Sequence, residues 1–316
     1  MDTFPSTIHV LHSYLPSAIT IIATVIPAIP PNLFIFYVGV TSGSIKDKFR
    51  DSLVTMTCGN IFTILVALTF YGHFLYADLS DSPVDFYFCS VFRRFLAYSY
   101  SPMLSGCLVV AANRLFFICL NTSFTRFKIL MANVLLTAFP FALFLTQITS
   151  SKITIEDICG PTLASPGWIA EVNVVLLILY PVIALVINTY ILYFLASYSQ
   201  KHISGRRMSI NSEKRERRVV LGMLIQSLLP IICQVPMLVL VIVQHKGWDP
   251  PSYLRIGSNI VFHANLTLNP IFTVIFVKQF RLAVVKLLRP SNVVRMFKPS
   301  TYAHSGTESP PPGVLP

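Results

Sequence analysis

Charge is scarce in this chain: only 12% of its 316 residues are Asp, Glu, Lys or Arg, where a soluble globular chain carries about 25%. So little charge cannot cover a surface facing water, which excludes an ordinary soluble domain. Acid is scarcer still, with 13 Asp and Glu against 24 Lys and Arg. The long apolar runs hold no acid apart from Glu171 at one end. That removes the paired carboxylates of many enzymes and the intramembrane acids that proton-coupled transporters use. The His-Glu-x-x-His, Gly-x-Ser-x-Gly and phosphate-cradling glycine-loop patterns are missing too. The chain therefore reads as a non-enzyme with no cofactor and no metal.

What the chain has is apolar length. It is 54% hydrophobic with a mean hydropathy of +0.67. Charge-free stretches cover 13–45, 52–77, 95–113, 129–151, 172–200, 219–245 and 256–277. About 20 apolar residues cross a bilayer as a helix, so these predict an all-α membrane protein of seven transmembrane helices. The helices are expected near 16–41, 52–76, 87–119, 129–149, 169–198, 217–244 and 255–277. Buried helices of a large soluble protein would not give seven uninterrupted runs. The first run lacks a basic leader and is too long for a signal peptide.

The basic residues orient the bundle. Alternate connecting segments hold three Lys and Arg on one side and nineteen on the other. The positive-inside rule then places the N-terminus outside and the C-terminus in the cytoplasm. The formal charge of +11 is an inner-surface property, suited to anionic lipid and a cytosolic partner and not to nucleic acid. Cys89 and Cys159 fall on the outer side, where a disulfide would persist. Residues 1–12 read as an extracellular N-terminus, 13–279 as the bundle, 280–289 as an amphipathic eighth helix ended by Pro290, and 290–316 as a disordered tail.

Within the spans lies a sparse polar set: Asn32, Asn60, Asn113, Asn188, Gln226, Gln234, Asn259, His263, Asn265 and Asn269. Each must face inward and find a partner, either as helix–helix glue or as part of a site. The sixth span adds two prolines, Pro230 and Pro236, around Gln234. Proline costs a helix interior about 3 kcal/mol, so the pair asks for a reason.

These residues resemble a known pattern. "AANRLFFICL" is similar to the Asp-Arg-Tyr region of rhodopsin-like G-protein-coupled receptors, with Asn113 in the acid's place before Arg114. Cys89 precedes Arg114 by the interval that family keeps from its disulfide cysteine. "LNPIFTVIFVKQF" resembles the family's Asn-Pro-x-x-Tyr and eighth helix through Asn269, Pro270 and Phe280, with Thr273 replacing the tyrosine. Asn32 and Asn60 match the polar pair of spans one and two, and Pro181 the proline of span five. Cys233, Gln234 and Pro236 match Cys-Trp-x-Pro, with Gln234 for the tryptophan. "GMLIQSLLPIICQVP" is more specifically similar to the nematode serpentine chemoreceptors.

The resemblance implies a seven-transmembrane chemosensory receptor at the plasma membrane, a sensory cilium included. It would bind a small extracellular ligand and act through a heterotrimeric G protein among membrane lipids. Asn113, Arg114, Glu216, Pro236, Asn269 and Pro270 would form the activation switch. Arg114 and Glu216 would pair at rest, unless Glu216 is simply a solvated acid among Lys214, Arg215, Arg217 and Arg218. Ligand candidates are Arg93, Leu96, Tyr100, Gln234 and His263, with Tyr98 beside them. Leu96 stands where amine receptors carry an acid, and His263 where opsins carry the retinal lysine, so neither ligand is expected. Arg93 either faces the pocket or snorkels to headgroups. Ser209 in "RRMS" fits a basophilic kinase. A small seven-helix transporter is the alternative, although no internal repeat supports it.

Overall fold

In hydrocarbon, every backbone N–H and C=O must be satisfied within the segment, so an apolar run long enough to cross becomes a helix. The computed structural model describes residues 7–41, 47–122, 124–149, 168–202, 210–245, 248 and 250–288. Cys159, Ser209 and the tail from residue 289 lie outside these, as do the side chains of Glu216 and Gln226.

A two-residue strand β1 (Thr7–Ile8) opens the described chain. The first span is α1 (Leu15–Val25) and α2 (Ile29–Thr41), joined by a 3-10 turn at Ile26–Ala28 where Pro27 falls. Next come α3 (Asp47–Leu79), β2 (Val84–Asp85), α4 (Phe86–Cys119), α5 (Arg126–Thr149), α6 (Trp168–His202), α7 (Ile210–His245), α8 (Ser252–Phe276) and α9 (Lys278–Leu288). Six of these helical segments are long and apolar enough to cross a membrane, and α7 adds the apolar stretch Ser227–Leu240. The fold is a seven-transmembrane bundle with an amphipathic eighth helix. Two helices run past the charge-free stretches: α7 begins at Ile210 and α6 continues to His202. Charge stops a span but not a helix, because Lys, Arg and Glu are good helix formers.

Helix ends follow local chemistry. Asp85 caps α4 by accepting the Phe88 N–H at 2.6 Å. Asn121 (φ 50°) ends α4 and Asp81 (φ 50°) ends α3, the left-handed turn that Asn and Asp tolerate better than other side chains.

The bundle closes with α4 packed against α3, α5 and α6, α7 between α6 and α8, and α8 against the first span. Glycines set the closest approaches. A Cβ on Gly59 would strike the Pro102 carbonyl, and one on Gly106 would strike Met56, so α3 and α4 pack backbone to backbone. The core joins Ile21, Phe70, Tyr71, Leu96, Tyr100, Leu104, Phe262 and Leu266. Leu65, Leu135, Val186 and Tyr193 face outward, as lipid-facing positions should. Phe280 of α9 is buried against Ile35, Val38 and Val110, while Arg281 is exposed.

Candidate functional site

The end bearing residues 7–14 and 78–88 is named outer here, after the charge bias of the sequence. There β1 pairs antiparallel with β2, Thr7 opposite Asp85 and Ile8 opposite Val84. His12 Nδ1 meets Asp78 at 3.0 Å, and His9 meets Asp81 at 3.3 Å. Ile8 and Val10 pack against Ala77, Val84 and Cys89. Cys89 is disulfide-bonded; Cys159, its expected partner, lies outside the described residues. Cys58, Cys107, Cys119 and Cys233 are free thiols. Nothing in the residue pattern announces this strap: two residues are too few for any strand pattern.

Below the strap, the buried candidates of α4 line one stripe: Arg93, Leu96 and Tyr100. Arg93 is 5% exposed and so is covered by the folded chain itself. Arg94 is buried as well and donates to the Gln147 carbonyl of α5. Leu96 belongs to the apolar core.

Tyr100 and His263 meet. The Tyr100 hydroxyl lies 2.7 Å from His263 Nε2, and His263 Nδ1 lies 2.8 Å from the Asn259 carbonyl oxygen. A carbonyl can only accept, so Nδ1 carries the ring proton and Nε2 accepts from Tyr100. Both side chains are essentially fully buried. Phe262 packs edge-on to Tyr100, and Tyr71 edge-on to His263. Tyr98 does not join them. It stacks against Phe144 and lies beside Phe141 of α5, because two residues along a helix turn a side chain by about 200°.

Gln234 comes to the same depth. Gly222 of α7 is pressed against Phe276 of α8, and the two helices run antiparallel. Twelve residues outward along α7 is Gln234, about 18 Å away, and thirteen back along α8 is His263, about 20 Å away. Met237, one turn beyond Gln234, packs on the cluster that holds Tyr100. Gln234 is 3% exposed, and among the described residues neither its Oε1 nor its Nε2 has a hydrogen-bond partner.

Deeper, the amides are tied together. Asn32 donates to the Ala28 and Leu266 carbonyls at 2.8 and 2.9 Å, and Asn60 donates to Asn32 Oδ1 at 3.0 Å. Asn265 points its amide at Met103 sulfur and Asn269 at Cys107 sulfur, 3.9 and 3.8 Å away. Thr273, in the tyrosine's place, donates to the Asn269 carbonyl. Asn188 of α6 donates to Ser227 of α7. Pro236 is half-buried in α7 and Pro270 buried in α8.

At the inner end, Arg114 is 5% exposed. Asn113, expected as the acid's substitute beside it, is occupied elsewhere. It donates to Ser52 of α3 at 3.3 Å and accepts the Phe124 N–H at 3.1 Å. An amide cannot neutralise a guanidinium, but it can hold a loop. Arg126 reinforces that loop through Asp51 of α3 at 2.9 Å. Neither Ser52 nor Asp51 stands out in the sequence, since their partners lie far along the chain.

The family model of the serpentine type 7TM GPCR chemoreceptor Srd matches residues 111–286, more than half of the chain. The chain belongs to that family. No curated protein matches it. The match starts just before Asn113 and Arg114 and ends in α9. It thus takes in Gln234, His263, Asn269 and Pro270 of this Srd chemoreceptor, while Tyr100 precedes it. As a chemoreceptor of seven spans, the chain is a multi-pass membrane protein.

Proposed function

We propose that this chain binds a small extracellular ligand in the outer half of the bundle and passes the change to a heterotrimeric G protein at its inner end. One observation carries the reading beyond the family: a buried layer of polar side chains, Tyr100, His263 and Gln234, at one depth between apolar helices. Such a layer is costly in hydrocarbon unless it serves recognition or packing. The chain would sit in the plasma membrane, a sensory cilium included, with its N-terminus outside, as the basic-residue bias requires.

Activation is a population shift: ligand binds one packing arrangement better and draws the bundle toward it. Pro236 removes one backbone hydrogen bond from α7 and makes a pivot. The segment inward of it is held by the Asn188–Ser227 bond to α6 and by the Gly222–Phe276 contact to α8. Both would have to give way for that segment to swing. Arg114 and Glu216 form the resting pair in this scheme, Cys89 and Cys159 the outer disulfide, and Ser209 a phosphorylation site on the inner loop.

The test is a ligand screen in cells with a calcium or cyclic-nucleotide readout. Arg114→Ala is expected to remove the response at equal surface level. A full-sized response in that variant would overturn the G-protein route, and uptake of labelled solute by reconstituted protein would favour a transporter. Glu216→Gln is expected to raise basal signalling; unchanged basal signalling would exclude the resting pair.

A further inference from the structure

Resting on the receptor reading, the chemistry of the buried layer restricts what the ligand can be. Gln234 offers two N–H donors and a carbonyl acceptor, none engaged among the described residues. Asn259 Oδ1, also buried, lacks a partner there too. Tyr100 gives its proton to His263 Nε2, so its oxygen can still accept. His263 has both nitrogens engaged and offers nothing further. The layer therefore presents one donor group and three acceptors, all uncharged.

Charge at this depth points the same way. Residues 86–119, 219–245 and 252–276 contain no Asp or Glu, and Asp78 of α3, two turns outward of Tyr71, is already held by His12, so an ammonium group at the depth of Gln234 would be buried without a counter-ion of its own. Arg93 is the cation on the same stripe of α4, two turns outward of Tyr100. It already has partners within the chain. A carboxylate ligand would have to draw it away from them. A hydroxyl or carbonyl group asks for none of this. It supplies what Gln234 lacks, and the core cluster that holds Tyr100, with Leu96 and Phe262 in it and Met237 packed on it, suits an apolar skeleton.

We propose that the ligand is an uncharged small molecule whose hydroxyl or carbonyl group is bound by Gln234 beside the Tyr100–His263 pair. The probes are four- to ten-carbon alcohols and ketones, with the carboxylic acids and primary amines of the same skeletons. They are applied to cells displaying the chain, with surface level measured in parallel. Activation is expected from alcohols or ketones and not from the ionised sets. Gln234→Met, similar in shape but without the amide, should raise the half-maximal concentration by about tenfold or more, the loss of one or two hydrogen bonds. If that variant is retained inside the cell, Gln234→Asn keeps the amide but withdraws it by one carbon, and should shift the curve in the same direction. An unchanged curve in the surface-expressed variant overturns the proposal. Activation by acids or amines alone also overturns it, while leaving the receptor reading intact. Silence from every set, with the wild-type chain at the surface, counts against the receptor reading and the ligand class together.

Discussion

Asn32 in the first span and Gln234 in the sixth are both amides buried in the bundle, at 0% and 3% exposure, yet they are opposites. Asn32 uses both ends of its amide: it donates to two carbonyls and accepts from Asn60. Gln234 uses neither end among the described residues. A satisfied amide fixes one arrangement of helices, whereas an unsatisfied one costs about 1–3 kcal/mol until something supplies its partner. The lesson is that burial alone does not separate glue from site. The hydrogen-bond account separates an amide tied at both ends from one open at both, and in the proposed site only the open one can reward a newcomer.

Substitutions can break this contrast. The largest effect is expected from Asn32→Leu, which strands the Asn60 amide and the Leu266 carbonyl together. The melting temperature of the detergent-purified protein should fall by the equivalent of about 2–3 kcal/mol, with less protein at the surface. An unaltered melting curve would show that the amide is not structural. Tyr100→Phe should cost less, about 1–2 kcal/mol, by leaving only His263 Nε2 without its donor. The same melting measurement checks it, and a loss as large as that of Asn32→Leu would contradict the ranking. Asp85→Ala removes the cap of α4 and should cost about 1 kcal/mol, visible as a small drop in melting temperature. Gln234→Met should cost nothing or stabilise slightly, because no bond is lost and an unpaired amide is removed. A clear destabilisation there would place Gln234 with the glue.

The seven spans were legible because they depend on one local property, the absence of charge over a bilayer's thickness. The buried polar set was legible for a related reason: a polar residue in such a run has few places to go. Asn32, Asn60, Asn113, Asn188, Gln234, Asn259, His263, Asn265 and Asn269 are all buried. What stayed hidden was who meets whom. Tyr100 and His263 are 163 residues apart, and no periodicity links them. Tyr98 and Tyr100 are close in sequence, yet helical geometry alone sets them on different faces. Asn113 stands before Arg114 in sequence, while its engagement with Ser52 and Phe124 depends on where the inner loop folds. The strap over the outer end left no trace in the sequence, being held by a two-residue ladder and histidine–aspartate contacts rather than by a pattern.

That strap bears on how the chain is made. β1 can find its partner only after the second span has been threaded through the bilayer and Val84 and Asp85 have emerged on the same side as the N-terminus. Until then the amino-terminal segment waits in water with Ile8 and Val10 uncovered. Its docking therefore reports that the first turns of the weave are complete. Early in biosynthesis this leaves Ile8 and Val10 uncovered, and later the ladder half-buries them against Ala77, Val84 and Cys89.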